Sequence, residues 1–356
     1  MKKRKKFLHP ALLLVVSVTL LSSGLKAQDW AIENWEINPD RELNPNTRWL
    51  LEAKWGLFTH YMVHMPSAPV PEGMNGEIWN KKVNSFQVEK FADQLSELKV
   101  PYFFITIGQG GGYYCSPNKT YEKHFGPSEG KLSERDLVEE LAGELTSRGI
   151  RMCVYLPALG RRESADVQQK YREVITEWSE RWGKAISAWW IDGAVFQGPE
   201  VYKAYTEAFK SGNPEAIVSY NVGPVGINRR QLAPVTEHED FLAGECDYFL
   251  PTSGYIPKGL IERKIFSNFQ EANYYQGPNI AGDQLHFLNF LGAWWGTGEP
   301  RYPDGLVISW TKHVIEHSGA VTWDLPLSDD GLIPENYFRQ VEALSKSIRT
   351  DKYEPY

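Results

Sequence analysis

The chain has 356 residues, a formal charge of −7, 42% apolar and 13% aromatic residues, with 13 Trp, 18 Tyr and 16 Phe. So many aromatics exclude a solvated low-complexity chain, and the length suits one large α/β domain with a substantial core. Residues 1–27 hold six Lys/Arg and no acid, so the rest of the chain carries a net charge near −13, which argues against nucleic acid or an anionic membrane face as partner.

Met1–Lys6 carries five basic residues, Ala11–Leu21 is largely apolar and Ser22–Ala27 is small and polar. This is the layout of a secretory signal peptide ending at Ala27. Its apolar run is roughly half of the ~20 residues that span a bilayer. Export to the periplasm or the medium is therefore expected, with no membrane span in the mature protein. Residues 28–356 are expected to form a single domain. The three cysteines, Cys115, Cys153 and Cys246, are odd in number and lack CxxC spacing, so buried free thiols are expected.

In chain order, Lys54–His60 reads as a strand, and Ser85–Lys99 as a helix with Phe86, Val88, Phe91, Leu95 and Leu98 at helical spacing. Pro101–Ile107 is a near-continuous apolar strand of the kind buried in parallel sheets. Ser133–Arg148 opens with Ser133 and Asp136 in a capping pattern and is helical. Ile150–Leu156 is a strand, Ala165–Trp182 a helix, Ile186–Ile191 a strand, Val201–Lys210 a helix and Ala216–Tyr220 a strand. Farther on, Cys246–Leu250, Gly305–Ser309 and Ala320–Leu325 read as strands, and Gln284–Trp295 and Pro334–Ser347 as helices. Roughly eight strands alternating with helices predict a (β/α)8 TIM-like barrel, with a doubly wound sheet as the alternative.

Chemistry in such barrels sits at the C-terminal ends of strands. The fourth strand ends Trp189-Trp190-Ile191-Asp192-Gly193, placing a carboxylate where the strand opens into a loop. Indole faces stack on sugar rings, and an adjacent carboxylate can attack an anomeric carbon. The competing reading is a core Trp pair followed by a helix-capping Asp. An acidic cluster follows the fifth strand, Glu237-His238-Glu239-Asp240 and then Glu245-Cys246-Asp247. Most of it is expected to be solvated, but one of these glutamates could complete the pair of carboxyls that glycoside hydrolysis requires.

Gly108–Tyr113 departs from the GxGxxG dinucleotide fingerprint at Tyr113 and does not open a helix. It reads as a glycine-rich loop that lets a substrate approach the backbone. His313-Val-Ile-Glu316-His317 matches a zinc-peptidase arrangement, but Gly319 ends the helix and little chain remains for a third ligand. Asn118-Lys-Thr120 is a glycosylation sequon that chance equally explains. No metal or organic cofactor is expected.

Taken together, these residues resemble the α-L-fucosidases of glycoside hydrolase family 29 from about Asn46 to Ser347. Trp49–Tyr61 (WLLEAKWGLFTHY) is similar to the opening motif of that family, Arg148–Tyr155 to its third strand and Trp190-Ile191-Asp192-Gly193 to its nucleophile motif. Thr236-Glu237 resembles its acid/base segment, Glu245 in the Cys246–Tyr255 region aligns with another glutamate, and Ser328–Leu344 is similar to its final turn and helix. The resemblance implies a retaining glycosidase acting on a poly- or oligosaccharide. Asp192 would be the nucleophile and Glu237 the acid/base, with Glu245 and Glu239 in reserve. His60, Gln109, Tyr155, Trp190 and Asn221 would line the sugar pocket, with Trp79 and Tyr113 at its mouth. Two departures stand out. The family's paired histidines after the second strand are replaced by Gly108–Tyr113, where Gln109 is the polar side chain that remains, and an Arg after the fifth strand is replaced around Asn221–Gly223. Losing donors matched to sugar hydroxyls costs ~10⁴ in discrimination, so a changed sugar, with either retention or inversion, is one alternative. A non-catalytic carbohydrate-binding barrel is the other. The family's C-terminal β-sandwich is not expected.

Overall fold

The computed structural model describes residues 38, 40–64, 69–109, 111–159, 163–223, 234–246, 250, 279–280 and 282–350. The expected signal peptide lies outside them. Seven strands form one sheet: β1 (Trp55–Thr59), β2 (Tyr102–Thr106), β3 (Arg151–Pro157), β4 (Ile186–Asp192), β5 (Ile217–Tyr220), β6 (His286–Phe290) and β7 (Ala320–Asp324). Their order is β6-β7-β1-β2-β3-β4-β5, and every neighbouring pair is parallel.

The sheet closes through the segment Asp240–Cys246. Leu242 N donates to Gln284 O at 3.0 Å and Cys246 N to Leu288 O at 2.8 Å, and the carbonyl of Gly244 accepts from Leu288 N at 2.9 Å. This segment therefore runs parallel to β6 as an eighth staves-like member. On its other side Asp240 N donates to Val218 O at 2.8 Å. Two side chains complete that seam: Asp240 Oδ2 accepts from Val218 N at 2.8 Å and Glu239 Oε2 from Tyr220 N at 3.1 Å. The result is the expected (β/α)8 TIM-like barrel.

Strand alternation sorts the side chains. Phe58, Phe104, Tyr155, Trp190, Phe241 and Leu288 fill the barrel interior. Leu57, Phe103, Ile105, Val154, Trp189 and Ile191 belong to the larger outer cluster packed against the helices. Near the floor, the Tyr102 hydroxyl and His286 Nε2 each lie 2.8 Å from Thr322 Oγ1, and His286 Nδ1 is 2.9 Å from Leu242 O. Burial pulls His286 down to about 4, so this imidazole is neutral.

The helices begin where side-chain oxygens can accept first-turn amides. Asp136 caps Leu137–Ser147 through Glu139 N, Ser164 caps Ala165–Trp182 through Val167 N, and Asn118 caps Lys119–Phe125 through Tyr121 N. Asn118 Nδ2 also donates to Val174 O at 2.9 Å, and the residue is 2% exposed. The sequon is therefore a buried cap. All three cysteines are buried, and none forms a disulfide among the described residues.

Two predicted elements are overturned. Gln284–Trp295, read as a helix, begins in the extended pair Asp283–Gln284 and contains β6. Its residues are buried on both faces, and a continuous apolar run carries no period that tells helix from strand. Gly305–Ser309, read as a strand, belongs to the helix Asp304–Glu316. There the burial of Val307, Trp310, Thr311 and Val314 sets a 3.6-residue period that prevails over local β-branched composition. Most of the predicted strand Cys246–Leu250 lies outside the described residues.

Gly244 has φ +62°, and a Cβ there would overlap the carbonyl of His286. Gly244→Ala should therefore lower stability by ~2–4 kcal/mol, read as an earlier midpoint in urea denaturation with the slope unchanged.

Candidate active site

Strand parity points Trp190 and Asp192 inward and Ile191 outward, so Asp192 stands at the barrel mouth. Gly193, at φ +64°, turns the chain at once, and Ala194 N then donates to Asn221 O at 2.8 Å. Asn221 N in turn donates to Ile191 O at 2.7 Å. Asn221 is thus clasped to the end of β4, and its side chain faces Asp192.

Three donors address Asp192. The Tyr155 hydroxyl reaches Oδ2 at 2.7 Å, Gln109 Nε2 reaches the same oxygen at 3.4 Å, and Asn221 Nδ2 reaches Oδ1 at 2.8 Å. Gln109 Nε2 also contacts the Tyr155 hydroxyl. Burial, reinforced by the charge of Asp192, holds the Tyr155 phenol well above its ordinary range, so it remains a proton-bearing donor. The Tyr155 ring stacks on Trp190 at 5.1 Å, and Trp190 Nε1 donates to Ala243 O at 3.1 Å.

The same Asn221 Nδ2 donates to Glu245 Oε2 at 2.5 Å. Two carboxyl groups therefore share one amide nitrogen. Their nearest oxygens can be no farther apart than the two contacts laid end to end, so the two groups are close enough to act on one bond.

Opposite them, His60 Nδ1 lies 3.0 Å from Asp324 Oδ1, which also accepts from His60 N at 3.1 Å, while Gly296 N donates to Asp324 Oδ2 at 2.5 Å. Burial raises Asp324, and the His60 contact works against that rise. The His60 ring meets Tyr155 edge-on at 5.4 Å and lies 5.3 Å from Trp295. His60, Tyr61, His64, Lys82, Trp295 and Ser328 line a cavity of about 220 Å3 on the His60 side of the mouth. A larger recess of about 370 Å3, lined by Trp49, Arg151, Lys184 and Glu215 among others, opens at the strand-entry end. No such bridged carboxyl pair stands there, and barrel chemistry belongs to the opposite face.

Of the residues picked out from sequence, the structure brings together Asp192, Glu245, Asn221, Gln109, Tyr155, Trp190 and His60. Glu237 does not join them. It is exposed, it lies before the closing segment at the strand-entry end, and its carbonyl accepts from Arg41. Glu239 is buried at that same end. Trp79 and Tyr113 are not at a pocket mouth. Trp79 is 0% exposed with Nε1 on Tyr114 O at 2.9 Å, and Tyr113 packs against it with its hydroxyl on Met74 O at 3.2 Å. Gly108–Gln109 pairs with Tyr113–Tyr114 as a small hairpin.

Asp324 and Trp295 were not singled out from sequence. Asp324 was within reach of the parity argument, since Ala320-Val-Thr-Trp-Asp324 ends an apolar strand on an acid as Trp189–Asp192 does. His313 and His317 lie ring to ring at 4.5 Å. Among the described residues no group of three or more His, Cys, Asp or Glu is arranged to hold a metal, and no helix is long and apolar enough to cross a membrane.

No family model matches the sequence, and no curated protein matches it. Solved structures do. An endo-fucoidan hydrolase of glycoside hydrolase family 107 superposes with a TM-score of 0.64 at 16% identity over 87% of this chain and 55% of its own. A second family 107 endo-fucoidan hydrolase gives 0.63 at 12% identity over 88% of this chain and 96% of its own. The family 29 α-L-fucosidase of Bacteroides thetaiotaomicron gives 0.58 at 12% identity over 87% and 74%. The chain thus spans little more than half the length of the first of these. The likeness is one of fold. It embraces families 107 and 29 alike, so the resemblance is not particular to family 29.

Asp324→Ala should leave the buried His60 ring without its acceptor and cost ~1–3 kcal/mol, measured as a lower thermal midpoint at neutral pH.

Proposed function

We propose that this chain is an exported glycoside hydrolase acting on fucose-containing glycans with retention of configuration, through Asp192 as nucleophile and Glu245 as acid/base. The observation that carries the reading is the single Asn221 amide donating to both carboxyl groups. It supports Glu245 over Glu237 for the second role, because Glu237 stands exposed at the other end of the barrel. The names of the fold neighbours make fucose-containing glycans the first substrates to try. The basic, apolar and small-residue layout of residues 1–27 supports export.

In the first step an Asp192 oxygen attacks the anomeric carbon, the glycosidic C–O bond breaks, and Glu245 gives its proton to the departing oxygen. In the second, Glu245 takes a proton from water as that water attacks the same carbon and releases Asp192. Tyr155 and Gln109 hold the attacking carboxylate in place, since an oriented nucleophile avoids the entropic cost of finding its geometry. His60 is fixed by Asp324 at Nδ1, which leaves Nε2 for a sugar hydroxyl. Trp295, which lines the cavity beside His60, supplies apolar surface for the ring, and Trp190 backs Tyr155 from below.

A second reading, the same chemistry on another sugar, is favoured by Gln109 standing where family 29 carries paired histidines. Aryl α-L-fucoside and a panel of fucose-containing and other glycans separate the two readings by which substrate releases product.

On the substrate that is cleaved, Asp192→Asn and Glu245→Gln should each lower kcat by ~10²–10⁴. Glu245→Gln should lose much less on an aryl glycoside with a good leaving group, which needs little protonation. Glu237→Gln should stay within about twofold, as expected for a solvated surface group. NMR of the first-formed product should show the substrate's own anomeric configuration. Undiminished turnover by Asp192→Asn removes the nucleophile assignment. Binding without cleavage of every glycan in the panel makes the chain a carbohydrate-binding barrel.

A further inference from the structure

The barrel seam between β5 and the closing segment is held differently from the others. Elsewhere main-chain carbonyls accept the strand amides. Here the amides of Val218 and Tyr220 are received by the carboxyl groups of Asp240 and Glu239. Glu239 also accepts from the amides of Val235 and Thr236 through its other oxygen. The far end of the same short segment carries Glu245.

Glu239 is not alone. Asp283, from the short strand before β6, is 0% exposed and faces it; Asp283 Oδ1 meets Arg41, while Asp283 Oδ2 is buried with no donor. Arg41 also donates to Glu239 O at 3.0 Å. Asp240, alongside, is neutralised by Lys210 at 2.7 Å and receives Asn44 Nδ2 at 2.6 Å. The phenol of Tyr220 lies near both Glu239 and Asp240 and is held protonated by burial. Among the described residues, the charged groups facing Glu239 are the Arg41 guanidinium, Asp283 and the already paired Asp240. Two neighbouring buried carboxyl groups, one with an oxygen that receives no donor, are satisfied by a shared proton.

We propose that a proton shared by Asp283 and Glu239, balanced by Arg41, keeps this seam closed and so positions Glu245, and that catalysis fails when that proton leaves. The proposal rests on the reading of Glu245 as acid/base. Without the proton, two buried anions face the Arg41 guanidinium, and their repulsion works against the hold that the Val235, Thr236 and Tyr220 amides keep on Glu239. The electrostatics run the same way. Burial pushes Glu239 up to about 7 and Asp283 well above the usual carboxylate range. A group raised on folding stabilises the fold below its unfolded value and loses that contribution as pH climbs through its folded one. For Glu239 the window runs from the ordinary glutamate range to about 7.

The test is hydrogen–deuterium exchange at the Val218 and Tyr220 amides, corrected for the intrinsic rate, together with kcat and KM on a cleaved glycan from pH 5.5 to 8.5. Protection of both amides should fall at least about tenfold toward alkaline pH, with kcat falling in step and KM nearly constant. Asp283→Asn, which removes one of the two anions, should keep protection level across the range and remove the part of the alkaline loss of kcat that tracks it. A general loss of packing would lower both at every pH. Constant protection of Tyr220 in the wild-type protein overturns the proposal, and that measurement stands even if the variant does not fold. Protection that falls while kcat does not overturns the link to Glu245. Glu245→Gln is assayed alongside: full activity there refutes the acid/base reading, and the exchange profile then decides the seam by itself.

Discussion

An amide NH2 has two hydrogens, and Asn221 spends both on acids. This constraint governs the barrel mouth. Its main chain is held on both sides by the end of β4, so the side chain has little freedom to follow one carboxyl group away from the other. The position of Asp192 and that of Glu245 are consequently one variable. Moving either would strand a buried donor, at a cost of the order of 1–3 kcal/mol.

The rest of the mouth is arranged around that pair by the two-residue period of the strands. Strand parity turns His60, Tyr155, Asp192, Asn221, Glu245 and Asp324 inward, while Gln109 comes from the hairpin after β2 and Trp295 from the loop after β6. Below them the interior is aromatic, with Phe58, Phe104, Tyr155 and Trp190 in contact, so the polar layer rests on a dry, rigid base. Polar contacts above such a base are stronger than they would be in water. The neutral His286 and the Tyr102–Thr322 contact show how polar groups deeper in the barrel are satisfied without charge.

Much of this was legible beforehand. The first five strands and the helices between them announce themselves through apolar runs broken by capped amphipathic stretches, and Asp192 is visible as an acid ending such a run. Legibility fails where the barrel departs from regular pairing. The closing segment has an acidic, glycine-containing sequence and side-chain acceptors, so nothing in its pattern reads as a strand. Without that strand the inward series Phe241, Ala243, Glu245 cannot be drawn, and Glu237 and Glu245 look equivalent. Trp79 misled for a related reason. An indole is as suited to a core as to a sugar face, and only its hydrogen bond to Tyr114 O distinguishes the two.

The buried cap at Asn118 bears on how such a protein can be made. Its Nδ2, the atom an oligosaccharide would be attached to, already donates inward to Val174 O, and its Oδ1 holds the first turn of the following helix. A eukaryotic secretion host could decorate this sequon only on a chain that had not yet folded, and the decorated chain could not then complete the helix start. Yield from such a host would thus depend on a race between the transferase and the closing of one helical turn, which replacing Thr120 by a residue other than Ser would end in favour of folding.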